Sequence, residues 1–278
     1  MTIAAIEPTG TQNAMNGGLS PSSVPLESLR AENPATVCWL VVFLLGGLLA
    51  MSNSIADPDL WGHVQYGREV LANGELHRTT TWSYAVENYP WINHEVIAEL
   101  LLAATYNLGG QWGLLLLKSS LGILLLAIPV AVARREGAGL MTALTVVLII
   151  SFLTAFHWHL RPHMLSYLCV AVMFGLLTRG IPSVVRERCV VAPADQRRLW
   201  LIPPLLIFWV NSHGGYLAGC ALLTAWLSLD VADAWLTRHP QARSLTLHRT
   251  GLLVVCLAAT LINPYGIGLH RWMLSSLG

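Results

Sequence analysis

The sequence predicts an all-α polytopic membrane protein of about seven transmembrane helices, with juxtamembrane helices in its first outer loop. Three observations carry this expectation. Of 278 residues, 54% are hydrophobic and only 11% charged, too little polar surface to coat a soluble globule of that size. The apolar residues gather in runs near the length of a hydrocarbon core. Lys and Arg fall unevenly between the connecting loops. The balance of 16 Lys and Arg against 15 Asp and Glu gives no basic field and excludes nucleic acid as a partner. The five cysteines stand singly without CxxC spacing and read as small core hydrophobes.

Residues 1–33 are rich in Gly, Ser, Pro, Thr and Asn without apolar periodicity and are predicted to be a disordered cytoplasmic tail. Residues 34–278 form the membrane domain. An uncleaved anchor spans Thr36 to Met51, and further runs lie at about 112–133, 138–156, 164–179, 199–211, 215–235 and 251–263, which makes seven spans. Between the first two lies a long polar outer loop, 52–111. Its last part, His94 to Leu108, is apolar but covers only about 22 Å as a helix. Glu95 and Glu99 share one of its faces with Leu102 and Tyr106, so it is laid along the membrane interface.

Orientation supports that arrangement. With a cytoplasmic amino terminus, eleven Lys and Arg fall inside and four outside, with Lys118 within a span. The protein is thus expected in the cytoplasmic membrane with the 52–111 loop on the periplasmic side. His63, His77, His94, His157, His159, His163, His213 and His270 then share the outer face. Polar groups at membrane depth are costly unless they line a cavity, so a cavity is expected below the loop.

Asp57-Pro58-Asp59 opens a helix ending near Gly74, since Asp caps, Pro suits the first turn and Gly follows the last. Asp57 is either that cap or a functional acid. Asp59 lies one turn before His63, where a carboxylate can orient the imidazole, share its proton or hold a cation with it. His94 and Glu95 begin the interfacial helix. Glu95 either complements the helix dipole or faces Asp59 and His63 as part of an acid–base set. His157, His159 and His163 lack a neighbouring Cys or acid, which argues against structural zinc. Arg161 suits a phosphate, or snorkels to lipid headgroups. Asn211 and His213 line the same pocket or cap the next span.

With this topology, the chain resembles the integral-membrane glycosyltransferases of the type-C fold, which include the protein O-mannosyltransferases and the aminoarabinose transferases. The likeness is carried by the anchor helix, by Asp57-Pro58-Asp59-Leu60-Trp61-Gly62-His63 through Tyr66-Gly67, and by Pro90-Trp91-Ile92-Asn93-His94-Glu95 running into a short helix ended by Gly109-Gly110. It covers roughly residues 36 to 270. The resemblance implies a sugar donor on a polyprenyl phosphate and a lipid, protein or glycan acceptor at the outer face. Asp57, Asp59, His94 and Glu95 are the implied catalytic residues, with a divalent cation, Mg or Mn, at Asp57 and Asp59. Arg161 and His163 would bind the donor phosphate, with His63, His157, His159, Asn211 and His213 lining the pocket. Relatives carry His-Pro or Lys-Pro where this chain has His94-Glu95, and the family's seven-span core is followed by a variable carboxy-terminal part, whereas this sequence stops at Gly278.

Two other classes compete. A small-molecule or ion transporter would use Lys118, Pro129 and Pro203-Pro204 to break helices around a path, although no repeat relates the two halves. A non-catalytic membrane subunit would present the loop to a partner.

Overall fold

The computed structural model describes residues 34–52, 57–80, 85–181 and 193–276; the 1–33 segment lies outside them. Regular secondary structure among the described residues is helical, apart from an isolated Thr79–Pro90 bridge. In chain order the helices are α1 (Pro34–Ala50), α2 (Pro58–Asn73), α3 (Val96–Arg135), α4 (Leu140–Leu153), α5 (His163–Gly180), α6 (Pro193–Arg198), α7 (Ile202–Val210), α8 (Tyr216–Leu236), α9 (Ala242–Ala259) and α10 (Ile267–Ser275).

Among the described residues three helices, α3, α5 and α8, are long and apolar enough to cross a membrane. This corrects the seven-span expectation. The anchor and the 138–156 run form helices of 17 and 14 residues, which rise about 25 and 21 Å against a hydrocarbon core of about 30 Å. The 199–211 run is divided between a 3-10 turn, Leu199–Leu201, and the nine-residue α7, which starts at Ile202-Pro203-Pro204. The 251–263 run ends at Ala259, and its helix begins in polar sequence that includes Arg243, His248 and Arg249. Apolar side chains nonetheless face outward on several helices, among them Leu49, Leu116, Leu153 and Leu229.

α3 joins the short helix of the outer loop to the following apolar run, but not as one rod. Gly110 interrupts it at φ 57°, ψ −143°, a conformation that favours glycine. A Cβ on Gly113 would stand 2.5 Å from the Thr105 carbonyl oxygen, whereas residues eight apart in a straight helix are separated by about 12 Å. The chain therefore turns back on itself here.

α2 is held as its sequence dictates. Asp57 Oδ1 accepts the Asp59 N–H at 3.0 Å, and Gly74 closes the helix in the left-handed region. Its buried face, Leu60, Val64 and Gly67, recurs at helical spacing and crosses the start of α3 closely. A Cβ at Gly67 would fall 2.1 Å from the Glu99 carbonyl oxygen, so only glycine allows this approach. Trp61 and Tyr106 meet edge to face across the same crossing, centroids 5.6 Å apart.

Two apolar cores flank the site. One joins α1 to α4 with the segment before α5 through Phe43, Leu102, Leu126 and Trp158. The other joins α5 and α7 to α10 through Met173, Leu206, Trp209 and Leu252.

Candidate active site

Between these cores opens a cleft of about 540 Å³. It is lined by Pro58, Asp59, Gly62, His63 and Tyr66 from α2, Glu95 before α3, Arg161, Pro162 and His163 at the start of α5, and His213 after α7. The close crossing at Gly67 sets its floor, because it brings the carboxylate face of α3 against α2.

His63 Nδ1 lies 3.6 Å from Glu95 Oε2 and 3.5 Å from Glu99 Oε1. Glu99 is 2% exposed, and a buried carboxylate needs partners for both oxygens. Asn93 Nδ2 donates to the other one, Oε2, at 2.5 Å. Asn93 is itself fixed: its Oδ1 accepts the Glu95 N–H and its own N–H donates to Tyr265 Oη, both at 3.0 Å. Glu95 Oε1 faces two more imidazoles, His94 Nε2 and His213 Nε2, each at 3.7 Å.

The electrostatics follow from burial and these neighbours. Burial raises the Glu95 carboxyl to about 7; the positive potential of His63 opposes this and Glu99 reinforces it. Burial works to lower His63, but the hydrogen bond to Glu99 and the charges of Glu95, Glu99 and Asp57 outweigh it, and its pKa is raised. His94 is lowered, by burial first. His213 is lowered to about 4 by burial and then by the neighbouring positive groups His94, His163, His63 and Arg161. Near neutral pH the cleft thus holds a carboxyl poised to exchange its proton, beside His63, whose pKa is raised, and His94 and His213, whose pKa values are lowered.

The aspartates occupy the opposite rim. Arg161 contacts the Asp59 carboxylate and lies 3.1 Å from Asp57 Oδ1. Asp57, already the α2 cap, is partly buried, whereas the Asp59 side chain is 61% exposed. His163 lines the cleft, but its Nε2–H donates to the His157 carbonyl at 3.2 Å.

Of the residues singled out from sequence, Asp59, His63, Glu95, Arg161, His163 and His213 line one cleft, and Asp57 and His94 contact its members. His157 and His159 do not line it. His157 borders a second, apolar cavity of about 410 Å³ between α3, α4 and α5, and His159 Nδ1 is buried without a hydrogen-bond partner. Asn211 is a brace. Its amide donates to the Ile207 and Ile262 carbonyls, and its own carbonyl accepts the Ile97 N–H at 2.8 Å.

Glu99 and Asn93 are site residues that sequence reasoning passed over. The signal was the i, i+4 spacing of Glu95 and Glu99, which equally describes a wet helix face. The face that carries them turns inward, while Leu108 is 90% exposed.

A divalent cation suits His63, Glu95 and Glu99 better than the aspartates. One ligand atom from each lies within 4.8 Å of the other two, and one imidazole nitrogen with two carboxylate oxygens is a donor set for Zn or Mn that leaves positions open. Asp57 and Asp59 are instead committed to Arg161. No family model, no curated protein and no solved structure matches the chain.

Proposed function

We propose that the protein is a membrane glycosyltransferase that moves a sugar from a polyprenyl-phosphate donor to an acceptor hydroxyl at the membrane surface. The observation that carries this reading is one cleft that sets the Glu95 carboxyl and His63, backed by the buried Glu99, beside Arg161, whose exposed partner Asp59 can give way to a phosphate. The adjoining apolar cavity supports a lipid-linked donor. It is lined by Leu125, Leu126, Val147 and Ile150, and one of its lining residues, Tyr167, stands edge-on against His163 of the cleft, centroids 5.1 Å apart.

In this mechanism Glu95 takes the proton of the acceptor hydroxyl, a role to which a carboxyl near 7 is matched. The acceptor oxygen bonds to the anomeric carbon as that carbon's bond to the phosphate oxygen breaks. Polyprenyl phosphate leaves and the sugar inverts. Arg161 meets the phosphate by exchanging the exposed Asp59 for it, while Asp57 keeps the guanidinium in place. His63, Glu99 and one oxygen of Glu95 would hold a divalent cation, which when bound would supply positive charge that makes the acceptor hydroxyl easier to deprotonate.

The test is reconstitution in liposomes with polyprenyl-phosphate sugars, followed by mass spectrometry of the lipids. Wild type should release polyprenyl phosphate and Glu95→Gln should not. No donor consumption by wild type, or equal consumption by the variant, would overturn the assignment.

A further inference from the structure

Resting on the reading of Glu95 as the working carboxylate of the cleft, we propose that Ser166, Trp209 and Gly215 lock His213 as an Nε2–H donor that positions Glu95. They are positioning residues drawn from α5, α7 and the turn before α8.

The hydrogen-bond directions leave little freedom. An indole N–H and a backbone N–H can only donate. Trp209 Nε1–H donates to Ser166 Oγ at 2.7 Å, and the Gly215 N–H donates to His213 Nδ1 at 3.0 Å. Nδ1 must therefore keep its lone pair, and in the neutral ring the proton sits on Nε2. Ser166 Oγ lies 2.8 Å from the same Nδ1. Because Nδ1 carries no proton, this contact is the Ser166 hydroxyl donating to the imidazole while its oxygen accepts from the indole.

The lock is buried and tightly built. Trp209 is fully buried and Ser166 is 6% exposed. A Cβ at Gly215 would stand 2.6 Å from Ser166 Oγ and 2.9 Å from His213 Nδ1, so a side chain there would part the pair.

The consequence lies on the far side of the ring. The Nε2–H is presented to Glu95 Oε1 at 3.7 Å, while Glu95 Oε2 faces His63. At 3.7 Å this is a dipole approach, longer than a hydrogen bond; it favours the orientation in which one carboxylate oxygen faces the Nε2–H and the other faces His63. It neither ligates a cation nor accepts a proton through Nε2 while the lock is closed. Groups that orient a ligating carboxylate in this way are commonly worth about 10- to 100-fold in metal affinity.

The test uses the full chain in detergent, labelled with ¹⁵N-histidine, with His213 assigned by the signal lost in His213→Gln. Long-range ¹H–¹⁵N spectra should show the Nε2–H tautomer in wild type, and Ser166→Ala, which leaves the Gly215 N–H as the one donor to Nδ1, should shift the Nδ1 resonance toward that of a freer lone pair. An Nδ1–H tautomer in wild type, or an Nδ1 resonance unmoved by Ser166→Ala, would overturn the lock. Titration with Mn²⁺ alone supplies a second readout. Ser166→Ala and His213→Leu should each weaken binding about tenfold. His213→Gln, whose amide can still donate, should restore most of it, and adding Ser166→Ala to that variant should cost nothing further. A further loss there would mean that Ser166 does not act through His213. If wild type binds no Mn²⁺, the cation site fails while the tautomer still decides the lock.

Discussion

His63 and Glu99 meet across the α2–α3 crossing, Nδ1 to Oε1 at 3.5 Å, and the carboxylate between them and Asn93 is almost wholly enclosed. Replacing Glu99 by Leu removes the acceptor for the Asn93 amide and the partner of His63 together. Leaving a buried donor unsatisfied costs about 1–3 kcal/mol. The thermal midpoint in detergent should fall accordingly, and Glu99→Gln, which keeps an acceptor oxygen, should lose less. Equal midpoints for the two variants would show that the hydrogen bond to Asn93 contributes nothing.

Cation binding should release protons. Glu95 must ionise to act as a ligand, and its carboxyl is raised to about 7. Mn²⁺ affinity, followed by tryptophan fluorescence, should therefore fall as the pH drops through 7 and level off above it. Glu95→Gln should abolish most of the binding, and the pH dependence that remains should be that of His63, which must also lose a proton to ligate. Affinity independent of pH between 5 and 8 would place the cation elsewhere.

The two aspartates should separate. Asp59→Asn frees one side of Arg161 and should tighten the binding of inorganic phosphate, measured by calorimetry. Asp57→Ala removes the α2 cap, at about 1 kcal/mol, and should lower the thermal midpoint. Weaker phosphate binding in Asp59→Asn would contradict the exchange at Arg161.

Acid should weaken the fold through His213. Its pKa is about 4 in the folded protein and about 6.5 unfolded. Between these values the unfolded chain binds more protons, so this group's contribution is intact above 6.5 and is lost as the pH falls to 4. Glu95, raised to about 7 from an ordinary value near 4.3, has the opposite sign: its contribution is lost as the pH rises through that interval. Wild type alone would mix the two. The midpoint difference between wild type and His213→Gln isolates the first and should shrink on acidification from 6.5 to 4.

How much was legible in the sequence depended on whether the signal was local. The α2 helix, from its Asp57 cap to Gly74, follows from the residues along it, as does the break at Gly109-Gly110. His63, Glu95, Arg161 and His213 line one cleft; the sequence put them on one face only through a seven-span count that the described helices do not keep. What failed needed packing. Runs of apolar residues do not reveal where Pro203-Pro204 divides a helix or how short α4 is, so seven runs yielded three helices of spanning length. That the glutamate face of α3 points inward depends on Gly67, 32 positions before Glu99. The pairing of both aspartates with Arg161 likewise lay beyond any local pattern.

Asn93 hands its N–H to the Tyr265 hydroxyl, 172 residues further along the chain. On a ribosome the loop bearing Glu95 emerges long before that hydroxyl exists. The cleft therefore cannot be finished until synthesis has passed Tyr265, and a nascent chain shorter than this carries the acids without their last buttress.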